Sequence, residues 1–283
     1  MQYGISVPNF ADYADPRALA DLARDAEAAG WDGFFLWDHI LFDTAWRLPL
    51  ADPWVALAAV AASTTRVRLG PLVTPLARRR PWKVARETVT LDHLSGGRLI
   101  LGVGLGYPPG AEFGQFGEET DNRVRARKLD EGLDILTGLW SGEPFAYAGE
   151  QYRLQETVFL PRPVQRPRIP IWVAGYWPNR APFRRAARWD GVCPGSLNTS
   201  WDELMPLADL RATLAYIRAH RAGAAPYDVV VGGYTPGDDR AAGAAVVAPY
   251  AAAGVTWWIE NIHGLRGPFD AMRERVRQGP PAA

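Results

Sequence analysis

Two histidines in this chain stand where an imidazole could move a proton. His39 follows Trp37-Asp38, and His263 follows Glu260-Asn261. Each is a short polar cluster directly after an apolar run, and imidazole is the side chain whose charge changes nearest neutral pH. The stretch Leu91–Tyr107, LDHLSGGRLILGVGLGY, offers something different. It is a helix end, a Ser-Gly-Gly break, and an apolar strand running into Gly102, Gly104 and Gly106. Glycine at alternate positions strips the side chains from one face, so a flat molecule can lie against bare backbone. A dinucleotide fingerprint would need a helix to begin here, which Tyr107-Pro108-Pro109-Gly110 opposes, and the Lys-Ser/Thr pair of a phosphate loop is missing. A glycine-rich turn without a ligand is the competing reading.

Composition narrows the partners. The 283 residues suffice for one large domain or two small ones, and 48% hydrophobic content supports a full core. Lys plus Arg (31) balance Asp plus Glu (31), which argues against nucleic acid or an anionic membrane as partner. The single cysteine, Cys193, excludes a disulfide framework within the chain and suits a reducing compartment. One cysteine and four scattered histidines give no metal-ligand spacing. The N-terminal MQYGISVPNF lacks a signal pattern and no apolar run spans a bilayer, so a soluble, cytoplasmic protein is expected.

The elements that must position these residues alternate regularly. Strands are predicted at Tyr3–Val7, Gly33–Trp37, Val67–Val73, Arg98–Val103, Ile171–Ala174, Gly191–Cys193, Val229–Val231 and Val255–Ile259. Pro71 inside the third signals a distortion, because proline cannot donate to a ladder. Asp15-Pro16 and Asp52-Pro53 each pair an N-cap with a first-turn proline. Further helices are predicted at Pro81–Leu94, Arg123–Trp140, about Asn179–Arg188, Trp201–Arg221, up to about Ala253, and about Phe269–Gln278. Residues 141–168, with four prolines, read as an irregular, partly β excursion. Helix-to-strand joints repeat in similar words, as in Ala28-Ala29-Gly30-Trp31-Asp32-Gly33 and Ala186-Ala187-Arg188-Trp189-Asp190-Gly191. Eight such units favour an α/β fold closed into a (β/α)₈ TIM barrel, one domain over residues 1–283, with a doubly wound sheet as alternative.

In such a barrel the active site gathers at the C-terminal ends of the strands. Those ends bring together Asn9, Asp38-His39, Val73-Thr74, Gly104–Tyr107, Gly175-Tyr176-Trp177, Pro194–Ser196, Gly232–Tyr234 and Glu260-Asn261 with His263. No Ser-His-Asp order and no glycosidase-like carboxylate pair is placed among them, which disfavours hydrolysis. An aromatic, glycine-cleared, nearly uncharged pocket suits a planar redox cofactor.

Trp37-Asp38-His39, the ARRRP loop Ala77–Pro81 and above all LDHLSGGRLILGVGLGY resemble the bacterial-luciferase-like superfamily of flavin-dependent oxidoreductases. So do LDEGLDILTGLWSG at Leu129–Gly142, PRPVQRPRIPIWVAG at Pro161–Gly175 and ARWDGV at Ala187–Val192. The likeness covers most of the chain. It implies a barrel with its excursion after strand four and that strand's helix, binding reduced FMN or the deazaflavin coenzyme F420. It implies a non-proline cis peptide at the end of strand three, by position Leu72-Val73, bulging behind the ring. A small-molecule substrate and a homodimer are also implied, and with FMN a flavin reductase as cofactor supplier. The Asp-His pair after strand two looks more like the deazaflavin members.

On this resemblance His39 is the first candidate for catalysis, as donor or proton carrier to the substrate group that exchanges hydride, with Asp38 orienting it. Asn9, Leu72, Val73, Thr74, Gly104, Gly106 and Tyr107 would border the ring. Gly175, Tyr176, Asn179 and Arg180 mark a helix N-terminus suited to the cofactor phosphate. Tyr176-Trp177 departs from the family's small residues there, and Leu105 stands where luciferases carry arginine. Trp46, Trp177, Trp257 and His263, with Trp258, are candidates for the substrate pocket. Arg78, Arg79 and Arg80 read first as a solvated charge run. A flavin-binding protein of the same fold without turnover, or a hydrolytic or isomerase barrel, are the alternatives.

Overall fold

The computed structural model describes residues 1–200, 202–223 and 225–281. In chain order the first half comprises β1 (Gln2–Val7), α1 (Pro16–Ala28), β2 (Gly33–Leu36), α2 (Pro53–Ser63), β3 (Arg68–Pro71), β4 (Thr74–Pro75), α3 (Pro81–Leu94), β5 (Leu101–Gly104), α4 (Pro109–Glu112) and α5 (Asn122–Trp140). The second half comprises β6 (Phe145–Ala148), β7 (Arg153–Thr157), β8 (Ile171–Trp177), α6 (Arg180–Ala186), β9 (Gly191–Ser196), α7 (Leu207–His220), β10 (Asp228–Gly233), α8 (Arg240–Ala253), β11 (Trp257–Asn261) and α9 (Phe269–Arg277). Both cap-and-proline starts form as expected: Asp15 accepts from the Arg17 amide and Asp52 from Trp54 and Val55. Trp201, the expected first residue of a helix, lies outside the described residues, and α7 begins at Leu207.

The strands form one parallel sheet in the order β3-β2-β1-β11-β10-β9-β8-β5-β4. β3 and β4 are two halves of a single strand, parted at the Leu72–Val73 bond, which is cis as the resemblance implied. The ring closes where β4 pairs with β5 and where Ile100 N donates to Leu69 O at 2.8 Å. Nine segments thus fill eight places of a (β/α)₈ barrel. The excursion after α5 is an antiparallel hairpin, β6–β7.

Inside the barrel, Phe35, Ile100, Trp172, Val230, Trp257 and Ile259 form a buried plug, with Trp172 and Trp257 ring centroids 5.3 Å apart. Trp257 is therefore barrel core, not substrate pocket, and Trp258 points outward against Tyr250 at 5.6 Å. Leu72 and Cys193 rest on the plug and are only partly buried. Above it Ala174 and Asn261 are half-buried and Gly232 is exposed, although each lies within a central strand. The plug fills the middle of the barrel, and above it the C-terminal ends of the strands form a well.

Among the described residues no helix is long and apolar enough to cross a membrane, and no group of His, Cys, Asp and Glu could hold a metal ion.

Candidate active site

The well's wall after β2 is built around His39. Asn9, fully buried, holds that segment: Nδ2 donates to His39 O and Ala51 O, both at 2.8 Å, and Oδ1 accepts from His39 N at 3.3 Å. Its amide is fully engaged on backbone, so Asn9 positions His39 and does not reach a cofactor edge as expected. The His39 ring is packed by Phe42 at 4.8 Å, Phe10 at 5.9 Å and Trp37 at 6.0 Å. Trp37 Nε1 donates to Ser6 Oγ at 2.9 Å, which ties this wall to β1.

Asp38 does not orient His39. Its carboxylate is buried and accepts from Thr74 Oγ1 at 2.7 Å, Arg78 Nη2 at 2.6 Å and Arg79 Nη2 at 2.8 Å. The partner of the imidazole is Glu112, whose Oε1 lies 3.0 Å from Nδ1. Glu112 also pairs with Arg78 and accepts from the Ile40 and Leu41 amides at 3.3 and 3.2 Å. His39, Glu112, Arg78, Asp38, Arg79 and Thr74 thus form one continuous network behind the wall. Two expectations fall here. Arg78 and Arg79 are internal counter-ions and not a solvated run, because two buried carboxylates cannot go unpaired; only Arg80 is exposed. The Thr74 hydroxyl serves Asp38 and not a ligand.

The side chain that sequence reasoning missed is Glu112. It lies on α4, a one-turn helix that the Pro108-Pro109 reading had excluded. Proline at the first position of a helix removes no bond, so Pro109 starts the turn that carries Glu112 to His39. The Glu three residues after Pro109 was the available signal.

Burial pulls the His39 ring down from the ordinary 6.5 to about 4; Asp38 opposes this and Arg78 adds to it. Glu112 beside Nδ1 favours the imidazolium, but its charge is already shared with Arg78 and two backbone amides, so burial decides. In the neutral ring that burial favours, a carboxylate can only accept, so Nδ1–H is the donor to Glu112 and Nε2 is left with the lone pair. Among the described residues Nε2 has no hydrogen-bond partner. Beside this wall, after β11, Tyr234 OH lies 3.0 Å from His263 Nε2, and the His263 and Trp37 rings are 6.0 Å apart. Burial and Arg266 lower the His263 pKa.

The glycines of β5 do a different job from the one expected. A Cβ on Gly102 would sit 2.4 Å from Pro71 O, and one on Gly104 would sit 2.7 Å from Val73 Cγ2. What lies against the bare backbone is the cis bulge itself, so Leu72 and Val73, half-buried, present the surface that the glycines were thought to present. Gly106, at φ +81°, turns the chain over Phe113 into the loop of Tyr107, which is exposed. Gly175 likewise admits Pro182, whose Cβ would lie 2.4 Å away. Asn179 caps α6 without a side-chain hydrogen bond, and Arg180 lies over the Tyr216 ring at 5.7 Å. Tyr176 stands at the mouth across Gly195, Trp177 packs on Phe183, and Trp46 is exposed beside Phe42.

The well therefore has two unlike halves. Ala174, Cys193 and Gly232 line one with small side chains, the Tyr176 ring covers Gly195 beside them, and a Cβ on Gly232 would first meet the Asn261 amide, at 3.3 Å. Phe10, Trp37, His39 and Phe42 line the other.

The model of the luciferase-like monooxygenase family matches residues 1–277. The chain belongs to that family. Among curated proteins, this family member is 34% identical over 201 residues to an F420-dependent glucose-6-phosphate dehydrogenase of Nakamurella multipartita, covering 67% of this chain and 54% of that protein. The chain thus spans about half the length of that relative. Two solved structures share the fold over nearly all of both chains. An F420-dependent secondary alcohol dehydrogenase, 16% identical, superposes with a TM-score of 0.78 over 99% of this chain and 98% of the other. A monooxygenase from Streptomyces bottropensis, 22% identical, superposes at 0.75 over 98% and 97%.

Proposed function

We propose that the chain is an oxidoreductase of a small organic substrate that uses coenzyme F420 in preference to reduced FMN. The observation that carries this is His39, its Nδ1 3.0 Å from the buried Glu112 carboxylate, at the edge of a well whose other half is lined by small residues. The F420-dependent curated relative supports the deazaflavin. Leu72 and Val73 would back the cofactor ring, with Ala174, Cys193 and Gly232 beneath it. Bound there, the cofactor would supply a two-electron hydride acceptor or donor.

The chain's own residues would supply the rest. His39 Nε2 takes the proton of a substrate hydroxyl as a carbonyl forms, or returns it in the reverse direction. Glu112 keeps the proton on Nδ1, so that Nε2 is the basic atom. Asn9 holds the His39 backbone in place, Arg78 holds the Asp38 carbonyl before it, and the aromatic wall would limit water at the reacting atoms.

Purified chain titrated separately with F420 and FMN, followed by absorbance, tests the cofactor. Tight binding of F420 is expected, and binding of neither overturns the proposal. Binding without turnover over a panel of alcohols and carbonyl compounds would assign instead a flavin-binding protein of the same fold.

A further inference from the structure

We propose, resting on the oxidoreductase reading above, that the substrate is an uncharged, hydrocarbon-rich molecule bearing one hydroxyl or carbonyl, and not a phosphorylated sugar. One observation is a set of exposed apolar side chains on the loops and strand ends around the well. Among the described residues, Ile40 and Trp46 follow β2, Tyr107 follows β5, Tyr176 ends β8, Leu197 follows β9 and Leu265 follows β11. All stand at the open end of the barrel, with Trp46 at 45% and Tyr176 at 54% exposure. At Trp46 this surface reaches the reacting end. Trp46 lies 5.4 Å from Phe42, which packs on His39 at 4.8 Å and stacks on Phe10 at 4.9 Å. An apolar rim leading to a single polar anchor is the form of a pocket that recognises hydrocarbon and orients it by one group.

The second observation is charge. The cations set into the wall all have protein partners. Arg78 and Arg79 hold Asp38 and Glu112. Arg125 donates to Leu105 O at 2.7 Å and Gly106 O at 3.2 Å. Arg266 pairs with Glu260 and donates to Thr235 O at 2.7 Å and Asn261 O at 3.0 Å. A phosphate dianion entering the well would lose water without gaining one of these charges. Arg47 and Arg180 are exposed at the outer loops, where a solvated ion pair strengthens binding only about five-fold at most. The hydroxyl of an alcohol, by contrast, meets the lone pair of His39 Nε2.

The test uses the chain loaded with F420 and secondary alcohols of three, four, six and eight carbons, against glucose 6-phosphate, the substrate in the name of the curated relative. kcat/KM is expected to rise about four-fold for each methylene that leaves water, until the rim is filled. The sugar phosphate should fall at least about 100-fold below the best alcohol. Trp46→Ala should cut the gain from three to eight carbons about ten-fold. Calorimetric titration of the chain with the eight-carbon ketone and with glucose 6-phosphate reads the same preference without turnover. A flat chain-length series with F420 bound, or tighter binding of the sugar phosphate, overturns the inference. Failure to bind F420 or FMN would overturn the oxidoreductase reading alone, and the titration would still decide the substrate class.

Discussion

Replacing Glu112 by Gln tests the network most directly. The carboxylate is buried, pairs with Arg78, lies 3.0 Å from His39 Nδ1, and accepts from two backbone amides. Gln keeps one oxygen, enough for only one of those amides, and removes the charge opposite Arg78. Breaking a buried ion pair costs about 3–5 kcal/mol, and Asp38, 2.6 Å from Arg78, still shares that charge, so the lower end applies. For a chain of this size about 3 kcal/mol lowers the melting temperature by roughly 6 °C, measurable by calorimetry. The amide can also present either a donor or an acceptor to Nδ1, so the basic tautomer is no longer enforced. Loss of general-base function lowers kcat by about 100-fold or more, with F420 affinity unchanged because Glu112 lies behind the wall. A kcat within three-fold of wild type, with the melting temperature unmoved, would refute the reasoning.

Further outcomes follow from the same geometry. Because burial holds His39 near 4, kcat/KM in the direction that needs a neutral base should stay flat from pH 8 to about 5 and fall only below that, as a pH–rate profile shows. The sign for stability matches: below 6.5 an unfolded His39 takes a proton that the folded ring refuses. Stability is thus lost as pH falls from 6.5 to 4, by up to about 3 kcal/mol, and His39→Gln should flatten this part of the calorimetric pH series. Gly102→Ala should destabilise more than Gly104→Ala, about 3 against about 1 kcal/mol in denaturant titrations, because the first meets a backbone carbonyl and the second a movable valine methyl. Trp257→Phe should leave substrate KM within about two-fold while lowering the melting temperature, since its ring packs on Trp172 and Phe35 inside the plug; a KM shift with unchanged melting would return it to the pocket.

What the sequence determined by itself is what local chemistry decides. Eight apolar runs alternating with capped helical segments specified an α/β fold and favoured the barrel over a doubly wound sheet, because periodicity and an Asp-Pro helix start act within a few residues; the strand order that closes the ring is tertiary. Motif likeness placed the cis bond at Leu72–Val73 and His39 at the mouth. Tertiary structure alone decided the partnerships. Glu112 meets His39 across 73 positions, and Asp38 turns to Arg78 and Arg79 across 40 and 41. Such pairs form only when separate loops converge on one end of the ring. Trp257 and Trp258 carry the same side chain at adjacent positions, and strand alternation sends them to opposite faces. Which of them enters the barrel is set by register against β1 and β10, a long-range pairing that no local pattern encodes.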